Sequence, residues 1–445
     1  MTQGRGNQMH NAKIRAVARY VFPTMLSNFC FVLFTIIDAI FVGRGVGTNA
    51  LGAINLVNPF VLIVSAMNLF ISVGGVAICA VHMGKGDYDG ANTVFRHGMF
   101  LLSFAAAVLS LAGMLFTDNI CSLLGAGETF HSYAADYLFW YSLFIIPSAL
   151  SAGLQNYCRN DNALGLVGMA VIISSICNIL GDWLLVFPLA MGTKGAAIAT
   201  GVSQTLGLLI MLTHFARKNG KLRLGKISLN TGLLREIIFH GLPEGVSQLA
   251  TPIMKFCMNL VLIERIGDLG VNAFSVVSNI AILTMGIFSG ASEGLQPLFG
   301  QSYGAKNEKD LKFYFKSGLI ISFTGSAVIT ILTVLLRENI CALFGADAAT
   351  TEYVLQIYPL FSIGFIVMAI NVMITAYLYS TERSALSTSI SLLRSVILNS
   401  AIILFLPKIF GNVAIWLSMF TYEATVLMIA MILLKHSERN GIQFK

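Results

Sequence analysis

The stretch Thr35-Ile36-Ile37-Asp38-Ala39-Ile40-Phe41-Val42-Gly43-Arg44 closes an apolar segment that begins near Tyr20 and carries one carboxylate, Asp38, with no basic residue close to it in sequence. A segment of about 20 apolar residues crosses the hydrocarbon of a bilayer. A charge at that depth is costly and usually serves a function. Working outward, runs of spanning length recur twelve times, near 19–42, 50–80, 94–116, 132–158, 163–187, 194–215, 236–263, 271–300, 315–336, 352–380, 386–406 and 412–434. The 445 residues are 56% hydrophobic and 11% charged, with a mean hydropathy of +0.78, whereas soluble domains average about 25% charged residues. Too little polar sequence exists to coat a soluble fold, and the runs are too long for barrel strands. The expectation is an all-α membrane protein of twelve transmembrane helices.

The basic residues orient it. With the N-terminus inside, 21 of the 28 Lys and Arg fall in inside segments, including Lys13, Arg15, Arg19 and the run from Arg217 to Arg235. A bias of this kind puts both termini in the cytoplasm of a cell-membrane protein. It also explains the net charge of +7 without a nucleic-acid partner. The polar, basic start leads straight into the first span, so no cleavable signal is expected. The seven cysteines lack metal-ligand spacing and read as small buried hydrophobes.

The chain repeats itself at a constant offset. Pro23 matches Pro243, Gly47 Gly267, Gly84 Gly304, Phe95 Phe315, Gly98 Gly318, Cys121 Cys341, Gly125 Gly345 and Tyr157 Tyr377. Two halves of six spans enter the membrane in the same direction, which makes them parallel repeats related by a pseudo-two-fold along the membrane normal. The expected division is a six-helix lobe over 1–215, a cytoplasmic linker over 216–235 and a second six-helix lobe over 236–445.

Polar groups within spans are the candidate functional residues. In the first half, counting residues from the outer ends of their spans brings Asp38, Tyr137, Asp182 and Thr200 to one depth, roughly 6–9 Å below the boundary at 1.5 Å per residue. Asn178 lies one turn below Asp182 on the same face. Two carboxylates, an amide and a hydroxyl suit Na⁺, and two close acids can instead share a proton, because both cannot ionise side by side in a low dielectric. The alternative is a packing role in which Asn178 and Thr200 cap the acids. Gln155, Asn156 and Gln204 are further candidates for a substrate cavity. In the second half the same counting groups Glu244, Glu293 and Arg394 in the inner half, with Glu423 near mid-membrane and Lys255 in the outer half. This set reads either as an ion-pair network that fixes packing or as a charged cavity wall that binds substrate, and Glu293 or Glu423 could be a second proton site. No Walker A sequence, His-Glu-x-x-His or Gly-x-Ser-x-Gly is present, so an ion gradient and not ATP would drive transport, and no enzyme activity or cofactor is expected. Eighteen Met and 31 Phe supply adaptable apolar surface, a minority of which could line a promiscuous pocket.

Together, several motifs carry a specific resemblance. They are Asp38-Ala39-Ile40-Phe41-Val42-Gly43, Gly74 and Gly84-Lys85, Asn178-Ile179-Leu180-Gly181-Asp182, Gly195-Ala196-Ala197-Ile198-Ala199-Thr200, and Gln296-Pro297 with Gly304-Ala305-Lys306. Over essentially its whole length the chain resembles the MATE family, the multidrug and toxic compound extrusion transporters. The resemblance implies a cation-coupled antiporter that exports small, drug-like, often cationic compounds by alternating access in exchange for H⁺ or Na⁺, and a monomer is expected. Similarity to the DinF-like branch implies a cation site at Asp38, Tyr137, Asn178, Asp182 and Thr200, with the first helix bending near Pro23. The NorM-like branch has acids where this chain has Thr251 and a tenth span without an internal carboxylate, so the resemblance places coupling in the first half. Glu244, directly after Pro243, fits neither pattern. A lipid-linked oligosaccharide flippase of the same superfamily is the second reading. It predicts a deep cationic groove, and only Lys255 and Arg394 are basic within the spans.

Overall fold

The computed structural model describes residues 2–343 and 346–439. Gly345 of the repeat and Lys445 of the basic C-terminus lie outside the described residues, as do the side chains of Arg5, Thr35, Ile36, Ala39, Ile40 and Arg439. Every described element is helical. In order they are α1 (Thr2–Gly45), α2 (Thr48–Gly84), α3 (Tyr88–Leu115), α4 (Thr117–Leu123), α5 (Glu128–Leu143), α6 (Ile145–Asn160), α7 (Leu164–Val186), α8 (Gly192–Ala216) and α9 (Thr231–Ser247). There follow α10 (Ala250–Arg265), α11 (Asp268–Gly304), α12 (Glu308–Leu335), α13 (Arg337–Leu343), α14 (Ala348–Ser380) and α15 (Ser384–Leu392). A π-helical turn (Leu393–Ile397), α16 (Leu398–Phe410) and α17 (Val413–Arg439) complete the chain. Among the described residues ten helical stretches are long and apolar enough to cross a membrane, α9 with α10 and α15 through α16 each counting as one, and α5 with α6, bent by 53° at their break, bring the number to eleven if that pair is one span. α1 is the remaining long helix, and many of its side chains fall outside that count. Five cysteines are buried and two, Cys30 and Cys177, half-buried, and all seven are free thiols.

Two compact units form, Leu26–Gly241 and Met1–Met25 with Leu242–Lys445. In the first, Phe95 stacks on Phe215 at 5.3 Å and meets Tyr157 edge-on at 5.0 Å. The Tyr157 ring reaches between α2 and α3 because Gly75 and Gly98 leave room for it: a Cβ on either would stand 2.0 or 2.1 Å from the phenol oxygen. In the second unit the matching residues also touch, with Phe315 stacked on Tyr377 at 4.0 Å. Small residues set the helix crossings, as expected where packing cannot draw on a solvent-driven hydrophobic effect. At Gly74 a Cβ would lie 2.0 Å from the Ile237 carbonyl oxygen, and at Gly241 one would lie 1.7 Å from that of Phe70, so α2 and α9 meet backbone to backbone. In the other unit Gly290 and Gly294 give α11 the same approach to Met25 and Tyr20 of α1.

The segment between α8 and α9 is held to the first unit by side chains. Asp161 accepts from His214 Nε2 at 2.9 Å and from the amides of Lys221 and Leu222. The Asn92 amide donates to the Lys221 carbonyl, and Arg96 Nε to that of Arg223. His97 contacts the Thr93 carbonyl through Nδ1 at 2.7 Å, and its Nε2 accepts the Asn230 N–H at 3.1 Å.

Asp87 caps α3 by accepting from the Gly90 amide at 2.9 Å, with His82 Nδ1 at 2.8 Å from its other oxygen. The Gly90 hydrogen bond first, and then His82, hold the Asp87 carboxyl below its ordinary value of 3.8. A depressed carboxylate contributes stability that is full above the unfolded value and is lost as the pH falls through the folded one. Asp87→Ala should therefore lower stability by about 1 kcal/mol at pH 7, and by less at pH 3, in thermal melts of detergent-solubilised protein. Equal losses at both pH values would show that the charge is not what caps the helix.

Candidate cation site and adjoining cavity

The five residues of the first-half set come together inside the unit 26–241. α1 carries Asp38, α5 Tyr137, α7 Asn178 and Asp182, and α8 Thr200. The close approach of α7 and α8 arises from small residues one position before each functional group. A Cβ on Gly181 would sit 3.1 Å from that of Ala199, so α7 and α8 pack closely next to Asp182 and Thr200. Asn178 Nδ2 donates to Thr200 Oγ1 at 3.3 Å. The Asn178 amide and the Asp38 carboxylate lie beside Asp182, and the Tyr137 phenol is in electrostatic range of both acids. Tyr141 stacks on Tyr137 at 6.0 Å and backs it.

Asp182 is fully buried and Asn178 nearly so. Four oxygens in this cluster, Asp38 Oδ1, both of Asp182 and Asn178 Oδ1, have no hydrogen-bond partner among the described residues. Buried acceptors are normally satisfied. Four unsatisfied ones in one cluster have the chemistry to take a positive charge: a proton between the two carboxylates, or a hard monovalent cation ligated by carboxylate, amide and hydroxyl oxygens. No group of three or more His, Cys, Asp or Glu among the described residues could hold a metal ion. Pro23 lies within α1, which is helical through it, and the Thr24 hydroxyl donates to the Tyr20 carbonyl at 2.8 Å.

A cavity lies in the same unit. Gln155 and Gln204 line it, as the sequence suggested. Its hydroxyl wall of Ser27, Ser151, Ser174, Ser175 and Ser203 was not anticipated. The Ser174-Ser175 pair within an apolar span was the available signal, and both hydroxyls lack a partner among the described residues. Asn156 is not part of this lining; its Oδ1 accepts from Arg159 Nη1 at 3.1 Å.

The charged residues of the other unit form a separate arrangement. Glu423 holds Arg394 Nε with both carboxylate oxygens, at 2.9 and 3.1 Å, and Asn371 Nδ2 donates to Glu423 Oε2 at 2.7 Å. All three are buried. Glu244 accepts from Gln248 at 3.4 Å and lies within electrostatic range of Glu293 and Arg394. Depth counting grouped Arg394 with Glu244 and Glu293, and its direct partner is instead Glu423. Asn371 was missed. Lys255 is half-buried on α10.

Fold and site together define a multi-pass helical membrane protein with a cluster of acidic, amide and hydroxyl oxygens buried inside one helical unit. The MatE family model matches residues 23–184 and 243–405, two segments whose starts reproduce the Pro23–Pro243 match. The chain belongs to the MATE family. It is similar to the multidrug export protein MepA of Staphylococcus haemolyticus, at 23% identity over 96% of this chain and 94% of that protein. It is also similar to an FAD transporter of Shewanella oneidensis, at 24% identity over 86% of each. Among solved structures, an outward-facing multidrug resistance MATE family transporter superposes with a TM-score of 0.90, at 19% identity over 97% of this chain and 96% of that one. The Vibrio cholerae MATE transporter VcmN superposes with a TM-score of 0.91, at 17% identity over 98% and 99%.

Proposed function

We propose that this chain is a secondary active multidrug efflux transporter, exporting organic, often cationic compounds in exchange for H⁺ or Na⁺ by alternating access. The observation that carries the reading is the Asp38–Asp182 pair with its unsatisfied oxygens beside Tyr137, Asn178 and Thr200. Such a site changes its charge when an ion enters or leaves, and an equilibrium between two conformations shifts only through a difference in affinity of that kind. The Gln155, Gln204 and serine cavity offers neutral hydrogen-bonding groups to a substrate, consistent with broad selectivity. Membership of the family and the multidrug export relatives support the same conclusion. In this reading the acids form a site of the DinF-like type, α1 completes twelve spans in two parallel six-helix repeats, Pro23 is where α1 bends, and both termini are cytoplasmic. One copy of the chain suffices. The flippase alternative is not favoured: of the two basic side chains deep within the spans, Arg394 is held by Glu423 and Lys255 lies on α10. Ethidium efflux from everted vesicles, driven first by a pH gradient and then by a Na⁺ gradient, tests the proposal and names the ion. Exchange under neither gradient would overturn it.

A further inference from the structure

The acid cluster of the first unit has an apolar side and a hydroxyl side. Asp38 on α1, Asp182 on α7 and Thr200 on α8 each have an apolar residue one helical turn nearer to the end where α7 gives way to α8, namely Val42, Val186 and Ala196. Positions four apart share a helix face. These three residues are at most 2% exposed and pack with Ala50 in one apolar cluster. The layer is tight. A Cβ on Gly45 of α1 would stand 2.4 Å from Val186 Cγ1, and Phe41 meets Phe187 edge-on at 5.7 Å.

Toward the other end of the same helices the residues turn polar. Ser174 and Ser175 lie one turn from Asn178 on α7, and Ser203 and Gln204 one turn from Thr200 on α8. All four line the serine cavity. Ser203 donates to the Thr200 carbonyl at 2.8 Å, while the buried hydroxyls of Ser174 and Ser175 have no partner among the described residues. Gly207 keeps space open beside them: a Cβ there would lie 2.6 Å from Ser174 Oγ and 3.4 Å from Ser151 Oγ. The cavity volume is about 50 Å³. A buried water needs roughly 10–15 Å³ and at least two polar partners, so this space suits a few hydrogen-bonded waters. A polar cavity of this kind is wet, whereas an apolar constriction sheds water and stops ions.

We infer that the serine cavity is a hydrated passage by which the coupling ion reaches the Asp38–Asp182 pair, and that the Val42–Val186–Ala196 layer is the gate that keeps the ion from crossing to the other side. In the orientation proposed above, the passage is on the cytoplasmic side of the acids and the gate on the outer side. The inference deepens the efflux reading and rests on it for the use the ion is put to.

The test is ion flux into proteoliposomes of the full-length protein with no substrate present, read by an entrapped pH dye under a pH gradient and by radioactive Na⁺ under a Na⁺ gradient. Val186→Thr nearly keeps the size of the side chain and puts a hydroxyl into the gate. It should raise the leak of the coupling ion about tenfold or more, since each step of about 1.4 kcal/mol taken off a barrier is tenfold in rate. Val42→Thr opens the same layer from the facing helix and should leak likewise. Leu184→Thr, at an exposed position in the last turns of α7, should not. Adding Asp38→Asn to Val186→Thr should return the leak to background, because the ion then lacks its station between passage and gate. Adding Ser174→Val and Ser175→Val instead removes the hydroxyls that hold water and should cut the leak about tenfold, since apolar cavities stay dry. Background leak in both Val186→Thr and Val42→Thr, an equal leak in Leu184→Thr, or a leak that Asp38→Asn or the serine pair leaves unchanged would overturn the inference. Ethidium efflux by the unaltered protein reports on the efflux reading alone, so failure of one is distinguishable from failure of the other.

Discussion

Asp38→Asn should abolish ion-coupled export, lowering gradient-driven ethidium efflux about 100-fold, the upper range of a coupling free energy of 1–3 kcal/mol. The substitution is nearly isosteric and leaves the Asn178–Thr200 hydrogen bond in place. What it removes is one of the two acids of the proposed cation site. The folded protein should not suffer. With one of two facing carboxylates gone, their mutual repulsion disappears, and the melting temperature above neutral pH should hold or rise. Asp182→Asn should act in the same direction, since it leaves a single acid among the same neighbours. Efflux at the unaltered rate by a well-folded Asp38→Asn protein would show that this cluster only holds helices together.

The second large effect is on stability. Glu423→Leu leaves the Arg394 guanidinium buried without its counter-charge, and breaking one side of such a pair costs roughly 3–5 kcal/mol. Asn371 still donates to the backbone carbonyl of residue 423 at 2.9 Å, so the loss reports mainly on the charge. The double variant Arg394→Leu with Glu423→Leu removes both ions and should recover most of the loss, because well-packed apolar replacements of buried pairs are often neutral. Melts of the two variants in detergent decide it: a double variant no more stable than the single one would mean that the pair is not the source.

Much of the candidate site was legible in the sequence because helix geometry is rigid. A rise of 1.5 Å per residue converts a count from a span's end into a depth, and that count brought together Asp38, Tyr137, Asp182 and Thr200, which the folded unit also gathers. The serine wall was harder to see. Ser and Thr within membrane helices often bond their own carbonyls four residues back, as Thr24 does, and nothing in the order of residues separates those from hydroxyls that face a cavity.

By itself the sequence determined that the chain is a bundle of membrane helices, that it repeats, and that its intramembrane acids include two at one depth. These follow from hydrophobic length, residue spacing and the cost of charge in lipid, all of which are local. Tertiary structure alone decided which side chains at a given depth meet. Arg394 pairs with Glu423, which the count had put at another depth, and Gln155 lines the cavity while its neighbour Asn156 turns to Arg159. The reason is rotational. One residue turns a helix by about 100°, and the extra residue in the π-turn at Leu393–Ile397 shifts the facing of everything beyond it. Which side chains meet is therefore set only when the helices pack.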